Sequence, residues 1–317
     1  MTPSRRSPLG IATGLCALAG LFLAPAPGRG SAQEPKPAGA RKTPGDTPPG
    51  KSYVYKQSAV QPREMEVYFP PDHDPARARV PGVILFHGGG WSGGSPSQFR
   101  TACHYLAGRG LVAATAAYRM LTPQEGKNLP PGETRKRACI TDAKSAIRWF
   151  KQHASELGVD PQRVITGGGS AGGHISVLAT VNPGLNDPGD PQDVSTSVAA
   201  YLLFNPAFAP EDSQDAEVDV LRHLKPDFAP AVVFFGTEDK WKRGWDAVHG
   251  KLRSLGAAAP DLQVAEGQSH GFFNRDPWQT VTLIAADRFL AQRGFLKGDP
   301  ALAPPATGEK LRSAPFP

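Results

Sequence analysis

Glycines crowded around one serine constrain this chain more than any other feature of its sequence. Residues 164–176 read VITGGGSAGGHIS, in which a strand-like apolar start leads into glycines and then into a segment that can open a helix. A serine on a tight strand-to-helix turn leaves no room for a Cβ beside it, and Gly168 and Gly172 meet that requirement around Ser170. The pattern predicts a nucleophilic serine, with a glycine-rich phosphate loop as the competing interpretation.

Length and charge narrow the possible functions. The 317 residues, 39% hydrophobic and 20% charged, can bury a full core in one large domain or two smaller ones. The net charge of +6 is concentrated in residues 1–50, where six Lys or Arg residues face two acids, so only +2 belongs to the rest. No basic stripe with interleaved aromatics is present, and we therefore expect no nucleic-acid partner.

The first 32 residues have the organisation of a signal peptide. A basic start precedes an apolar run over residues 9–26, and small residues at 30–32 offer a cleavage site. Pro25 and Pro27 limit the apolar run to about 16 residues, short of the ~20 that span a bilayer. We therefore expect export to the periplasm or the medium, with no stable membrane insertion after the leader is removed.

Composition divides the remainder into three parts. Residues 33–50 hold five prolines and three glycines, which is typical of a flexible, disordered linker. Residues 51–297 carry regular apolar patterns and are predicted to form one catalytic domain. Residues 298–317 are rich in Pro and Ala and are predicted to be a disordered tail.

Apolar strands alternate with amphipathic helices through the predicted domain. An edge hairpin is expected at 53–59 and 65–69, followed by strands at 80–86, 111–118, 164–166, 198–204, 231–236 and 262–265, and by helices at 96–109, 133–157, 171–181, 244–255 and 278–292. This alternation implies βαβ units, so the fold class is α/β, with a mostly parallel central sheet and helices on both faces.

A second glycine-rich loop precedes the serine. The sequence His-Gly-Gly-Gly-Trp begins at His87, directly after a buried strand. Backbone N–H groups in such a loop are unobstructed, and those of Gly88 and Gly89, with that of Ala171, are predicted to hold an oxyanion. His87 itself is expected to brace the loop, because it precedes the serine in the chain.

An acid and a histidine follow the serine, each just after a strand. Asp239 ends the sequence GTED, where Glu238 is the competing acid, and His270 lies in the loop after strand 262–265. Ester hydrolysis by serine needs a base and an acid that orients it, and both are predicted here in the required order. His174, on the predicted helix after the serine, is expected either to pack or to support the site from behind, and His249 is expected to lie at the surface or to pack in its helix.

Metal and nucleotide chemistry are disfavoured by spacing. The chain has no H-E-x-x-H, no C-x-x-C and no cluster of His and carboxylates on one predicted face, so no metal or other cofactor is expected. The glycine loop lacks a P-loop lysine and follows the fifth predicted strand rather than the first. Cys103 and Cys139 lie in helices expected on opposite faces of the sheet, and either a disulfide or two free thiols fits the sequence.

The motifs HGGGW, GGGSAGGH, GTED and SHGF occur in this order between about residues 80 and 295. Together they resemble the hormone-sensitive-lipase-like carboxylesterases, which have the α/β-hydrolase fold, and most closely the exported group that includes acetylxylan and feruloyl esterases. The resemblance implies catalysis by Ser170, Asp239 and His270. Because Asp239 follows Ser170 by only 69 residues, no large lid is expected and the cleft should be open.

The substrate is less tightly constrained than the reaction. Export, an open cleft and the resemblance together indicate a small-molecule or carbohydrate ester, such as an acetylated extracellular carbohydrate. Trp91, Trp241 and Phe272 are candidate aromatic walls for a substrate, with core packing as the alternative for each. An amidase or formamidase, a lipase of the same fold, and a non-catalytic binding protein also stay open, as does the oligomeric state.

Overall fold

A nine-stranded sheet forms the centre of the protein. The computed structural model describes residues 47–57 and 61–314, all within the compact unit Lys42–Pro317. The strands are β1 (Lys51–Lys56), β2 (Arg63–Tyr68), β3 (Val80–Phe86), β4 (Val112–Ala116), β5 (Val159–Gly169), β6 (Ala200–Phe204), β7 (Ala231–Gly236), β8 (Asp261–Ala265) and β9 (Arg312–Ser313). The helices are α1 (Arg100–Gly108), α2 (Pro123–Lys127), α3 (Arg135–Gln152), α4 (Ala154–Leu157), α5 (Ala171–Val181), α6 (Val220–His223), α7 (Lys242–Ser254) and α8 (Trp278–Gln292), with 3-10 turns at Pro96–Phe99, Pro210–Gln214 and Phe272–Asn274. None of these helices is long and apolar enough to cross a membrane.

The strand order confirms the predicted mostly parallel α/β sheet. The strands lie in the order β1-β2-β4-β3-β5-β6-β7-β8-β9, and every pairing from β4 to β8 is parallel. The antiparallel hairpin of β1 and β2 forms one edge, as predicted, and β9 pairs antiparallel with β8 at the other. Because parallel strands end on the same side, the loops after β3, β5, β6, β7 and β8 meet at one edge of the sheet.

Both faces of the sheet are buried under helices. Neighbouring residues of β3 point to opposite faces, so Ile84 joins one apolar cluster and Leu85 the other. Cys139 on α3 belongs to the first cluster and Cys103 on α1 to the second. The sheet therefore separates the two cysteines, and both are free thiols. Burial raises the pKa of each thiol above its ordinary value.

The described part of the C-terminal segment is structured, which corrects the predicted disordered tail at 298–317. Leu302 and Leu311 pack against the apolar cluster on the α1 and α8 side of the sheet. The N–H group of Ala314 donates to the carbonyl of Leu262, at 2.9 Å, next to the short strand β9. Without this segment β8 would present an unpaired edge, and pairing that edge outweighs the low apolar content of the segment.

The structured domain also begins earlier than predicted. Residues 47–50, assigned to the flexible linker, contact the domain through Pro48, whose carbonyl accepts the hydroxyl of Tyr68 at 2.9 Å. The hydroxyls of Thr47 and Thr101 are 3.0 Å apart. The predicted signal peptide and the preceding part of the linker lie outside the described residues.

Candidate active site

Ser170 stands on the sharp turn between β5 and α5. Its backbone has φ 51° and ψ −119°, a strained combination for a residue with a Cβ. A Cβ built at Gly172 would lie 1.9 Å from the carbonyl oxygen of Phe86, and one built at Gly168 would lie 2.2 Å from that same oxygen. The two glycines therefore let the turn pack directly onto the end of β3, which confirms the steric reason for the G-x-S-x-G pattern.

The serine, histidine and aspartate predicted from the sequence come together at the carboxyl edge of the sheet. Nε2 of His270 is 2.8 Å from Oγ of Ser170, and its Nδ1 is 2.8 Å from Oδ2 of Asp239. The other oxygen of Asp239 accepts the N–H of Trp241 at 2.9 Å. A carboxylate facing Nδ1 favours the tautomer with the proton on that nitrogen, which leaves Nε2 free to accept the serine proton.

Burial differs sharply between the aspartate and the histidine. The side chain of Asp239 has 0% of its surface exposed, whereas that of His270 has 34% exposed. A buried carboxylate is little screened by water, so its attraction for a protonated imidazole is strong. The competing acid Glu238 is exposed to solvent. The geometry therefore selects Asp239 as the partner of His270 and leaves the imidazole partly open to solvent.

The loop after β3 differs from the prediction at one position. The N–H of Gly88 donates to Oε1 of Gln98 at 2.6 Å, so this group is occupied and is removed from the predicted oxyanion donors. Within the described residues, the N–H groups of Gly89 and Ala171 donate to no protein acceptor. Gly89 has a φ of 125°, a conformation that favours glycine. These two groups therefore remain as the predicted donors.

His87 braces the loop, as predicted. Its Nδ1 donates to the carbonyl of Gly88 at 2.8 Å, and its ring stacks on Tyr118 with 4.4 Å between centroids. The hydroxyl of Tyr118 in turn donates to the carbonyl of His87 at 2.6 Å. Burial lowers the pKa of His87 to about 4, against the opposing effect of the hydrogen bond to Gly88, so the ring is neutral near pH 7.

Trp91 is a packing residue rather than the predicted substrate wall. Its ring is buried, and its Nε1 donates to Nδ1 of His174 at 3.3 Å. The ammonium of Lys136 lies 4.0 Å from the centre of the indole ring. On its other side His174 places Nε2 3.3 Å from Oδ2 of Asp212, which also pairs with Lys136. These contacts hold the indole in place, and His174, itself buried, packs against Trp91 with 5.2 Å between ring centroids.

The other two aromatic candidates divide between core and cleft. Phe272 is buried and packs edge-to-face on Phe273 and Trp278, with centroids 6.4 and 5.7 Å away. This corrects its prediction as a substrate wall, because the 3-10 turn after the histidine loop directs it into the core. Trp241 is half-buried, and its ring centre is 6.1 Å from that of His270. Of the three, only Trp241 adjoins the triad with surface to offer.

Three amide side chains beside the triad were not predicted from the sequence. Asn205, directly after β6, is buried with φ 41°, and its Oδ1 accepts the N–H of Gly271 at 3.2 Å. Its position just past a buried strand was the available signal. Gln98 and Asn274 join each other by a hydrogen bond of 2.9 Å across 176 positions of the chain, and no local pattern marks either one.

These features define a class of protein. A serine on a strained strand-to-helix turn, within hydrogen-bonding distance of a histidine that faces a buried aspartate, is the arrangement of a serine hydrolase with the α/β-hydrolase fold. Among residues 47–57 and 61–314, no group of three or more His, Cys, Asp or Glu side chains is placed to hold a metal ion.

Comparison with known proteins identifies the family. Residues 65–199 match the BD-FAE family model. The structure of Thermogutta terrifontis esterase 2 phosphorylated by paraoxon superposes with a TM-score of 0.72. The sequences are 35% identical, and the match covers 80% of this chain and 97% of the esterase chain. A propionate-bound structure of the same esterase is 34% identical, with a TM-score of 0.71 over 80% and 98% of the two chains. The chain belongs to the hormone-sensitive-lipase-like carboxylesterases, as the sequence motifs predicted.

Two curated relatives match over a shorter stretch. Carboxylesterase NlhH of Mycobacterium tuberculosis is 36% identical over 115 residues, which cover 36% of this chain and 32% of the relative. An ethyl acetate hydrolase of Pseudomonas putida is 33% identical over 114 residues, covering 36% and 33% of the two chains. The chain thus spans about a third of the length of these relatives.

Proposed function

We propose that the protein hydrolyses short-chain carboxylic esters through an acyl-enzyme, and that it deacetylates an extracellular carbohydrate. The main support for this reaction is the pair of 2.8 Å contacts that join Ser170 to His270 and His270 to Asp239. Family membership supports ester hydrolysis as the reaction type.

The first half of the reaction forms the acyl-enzyme. Oγ of Ser170 attacks the ester carbonyl while its proton passes to Nε2 of His270, and Asp239 stabilises the imidazolium that results. The N–H groups of Gly89 and Ala171 donate to the oxyanion of the tetrahedral intermediate. When the ester C–O bond breaks, His270 returns the proton to the departing alcohol.

The second half releases the acid. Water attacks the acyl carbonyl and gives a proton to Nε2 of His270, and the same N–H groups stabilise the second oxyanion. The bond from Oγ to the acyl carbon then breaks, Ser170 regains its proton from His270, and the carboxylic acid leaves. No metal or organic cofactor takes part in either half.

Three observations support a short acyl group on a larger alcohol. The imidazole of His270 is exposed, which suits an alcohol portion that extends into solvent. Trp241 offers a partly exposed ring beside it, a surface on which a sugar can stack. The relatives include an ethyl acetate hydrolase and an esterase solved with bound propionate. The signal-peptide composition of residues 1–32 supports an extracellular site of action.

A substrate series measures the reaction type and its acyl preference. We expect kcat/KM for p-nitrophenyl esters to be highest between acetate and butyrate, with acetate released from acetylated xylan and little turnover of p-nitroacetanilide. Ser170→Ala should lower kcat by at least about 10³-fold, whereas Ser155→Ala, an exposed serine on α4, should leave kcat unchanged.

Other outcomes identify the alternatives. Preference for emulsified long-chain esters would indicate a lipase, and faster turnover of the anilide would indicate an amidase. Full activity of Ser170→Ala would refute the assigned nucleophile, and absence of turnover by the wild type would favour a binding protein. Measurement of the mature N-terminus after expression with the native leader tests export, which an uncleaved chain retained inside the cell would contradict.

A further inference from the structure

A continuous row of side-chain amides joins the loop after β3 to the loop that carries His270. The N–H of Gly88 donates to Oε1 of Gln98 at 2.6 Å. Nε2 of Gln98 donates to Oδ1 of Asn274 at 2.9 Å, and Nδ2 of Asn274 donates to the carbonyl of Gly271 at 2.9 Å. The row therefore begins one residue before the Gly89 oxyanion donor and ends one residue after the base.

The two ends of the row fix the orientation of both amides. A backbone N–H can only donate and a carbonyl can only accept, so Gln98 must turn its oxygen to Gly88 and its nitrogen to Asn274. Asn274 must then accept with its oxygen and donate with its nitrogen to Gly271. A flip of either amide would place two donors or two acceptors face to face. Each position thus needs one donor and one acceptor, which a carboxylate does not provide.

The peptide group at Gly271 is held from both sides. Its carbonyl accepts from Asn274, and its N–H donates to Oδ1 of Asn205 at 3.2 Å. The N–H of Asn205 is itself bound to the carbonyl of Phe234 on β7 at 2.7 Å. Gly271 has a φ of 81°, so the chain turns sharply just after His270. The backbone beside the imidazole is therefore held by Asn205, which is bound to β7, and by Asn274, which is bound to Gln98.

We propose that Gln98 and Asn274 are positioning residues that fix the oxyanion loop relative to His270. The proposal rests on the proposed function, because it concerns the geometry of the same reaction. The oxyanion donor at Gly89 and the base must both be in place at one transition state, although they follow different strands, β3 and β8. A misplacement of about 1 Å can lower such a rate by about 10²-fold, and this row is a direct side-chain link between the two loops.

Near-isosteric variants test the donor at each position. Gln98→Glu keeps an acceptor for Gly88 and loses the donor to Asn274, while Asn274→Asp keeps an acceptor for Gln98 and loses the donor to Gly271. We expect either change to lower kcat for p-nitrophenyl acetate by about 10- to 100-fold with KM changed by less than about threefold. Gln162→Glu, at an exposed position of β5, is the matched control and should leave both constants unchanged.

Rates are expressed per functional site, so that a loss of folded protein does not count as a loss of kcat. Sites are counted by the p-nitrophenol released when paraoxon phosphorylates the protein to completion. Gln98→Ala and Asn274→Ala remove each side chain without adding charge, so a loss shared with the acidic variants excludes a purely electrostatic cause. If an acidic variant fails to fold, the alanine variant at the same position still measures how much that side chain contributes to kcat.

A double-mutant cycle separates positioning from two independent roles. If the amides act as one row, Gln98→Ala combined with Asn274→Ala should lose little more than the worse single variant, because the first break already disconnects the loops. Losses in kcat that multiply would overturn the proposal, as would wild-type kcat per site in all single variants. A rise in KM with unchanged kcat would instead indicate substrate contact and also overturn it. A wild-type protein without ester turnover would refute the proposed function itself, a distinct result.

Discussion

Gly172→Ala tests how tightly the serine turn packs on β3. The new Cβ would lie 1.9 Å from the carbonyl oxygen of Phe86 and 2.5 Å from that of His87. Cβ atoms essentially never come within 3.0 Å of another group, so the turn and the strand must separate by about 1 Å. Both obstacles are backbone atoms of a buried strand end, which cannot rotate away as a side chain does.

The expected cost follows from this overlap. Overpacking of a buried site destabilises by about 1–3 kcal/mol, and the upper end applies where backbone must move. The gain from replacing glycine by alanine in a helix is at most about 1 kcal/mol, so a net loss of about 2 kcal/mol is expected. For a domain of this size that lowers Tm by about 4–8 °C. The displaced strand end leads directly into Gly89, so kcat should fall by about 10²-fold as well.

The assay compares this variant with Gly250→Ala. Gly250 lies exposed within α7, and a Cβ there would meet nothing within 4 Å. The same substitution should therefore stabilise the protein by about 0.5–1 kcal/mol and leave kcat unchanged. Calorimetry gives Tm, and p-nitrophenyl acetate hydrolysis gives kcat. Wild-type Tm and kcat for Gly172→Ala would refute the packing of the serine turn described above.

Three further predictions address other parts of the molecule. Because burial lowers the pKa of His87 to about 4 from 6.5, the unfolded chain takes up a proton between these values that the folded chain does not. Acidification from pH 6.5 to 4 should therefore destabilise the wild type by up to about 3 kcal/mol more than His87→Gln in urea unfolding, and equal losses would contradict this. Cys103 and Cys139 should react slowly with a disulfide reagent in the native protein and rapidly in guanidinium, as read by peptide mapping, because burial disfavours both thiolates. Truncation after Gly298 should lower Tm by about 4–8 °C, since Leu302 and Leu311 each contribute about 1 kcal/mol of burial, and an unchanged Tm would count against the structured tail.

The sequence by itself determined the parts of this protein that local patterns encode. Runs of apolar residues marked the buried strands, because a parallel strand covered on both faces has no polar positions. The glycines around Ser170 marked the turn, because only glycine allows backbone to approach so closely. Asp239 and His270 were found because each follows a recognisable strand, and parallel strands end at one edge. Ser170 follows β5 in the same parallel sheet, so all three side chains are expected at that edge.

Only the tertiary structure decided which groups are occupied and which are free. The N–H of Gly88 is bound by Gln98, and Gln98 by Asn274, through contacts between distant positions that no local periodicity encodes. An aromatic residue such as Trp91 or Phe272 looks the same in the sequence whether it lines a cleft or fills a core. Both are buried here, and that burial depends on all of their neighbours in the fold. The described tail, poor in apolar residues, is held because β8 leaves an open edge. Hydrogen-bond partners and solvent exposure are properties of the assembled fold, whereas backbone conformation and strand burial depend largely on residues that are adjacent in the sequence.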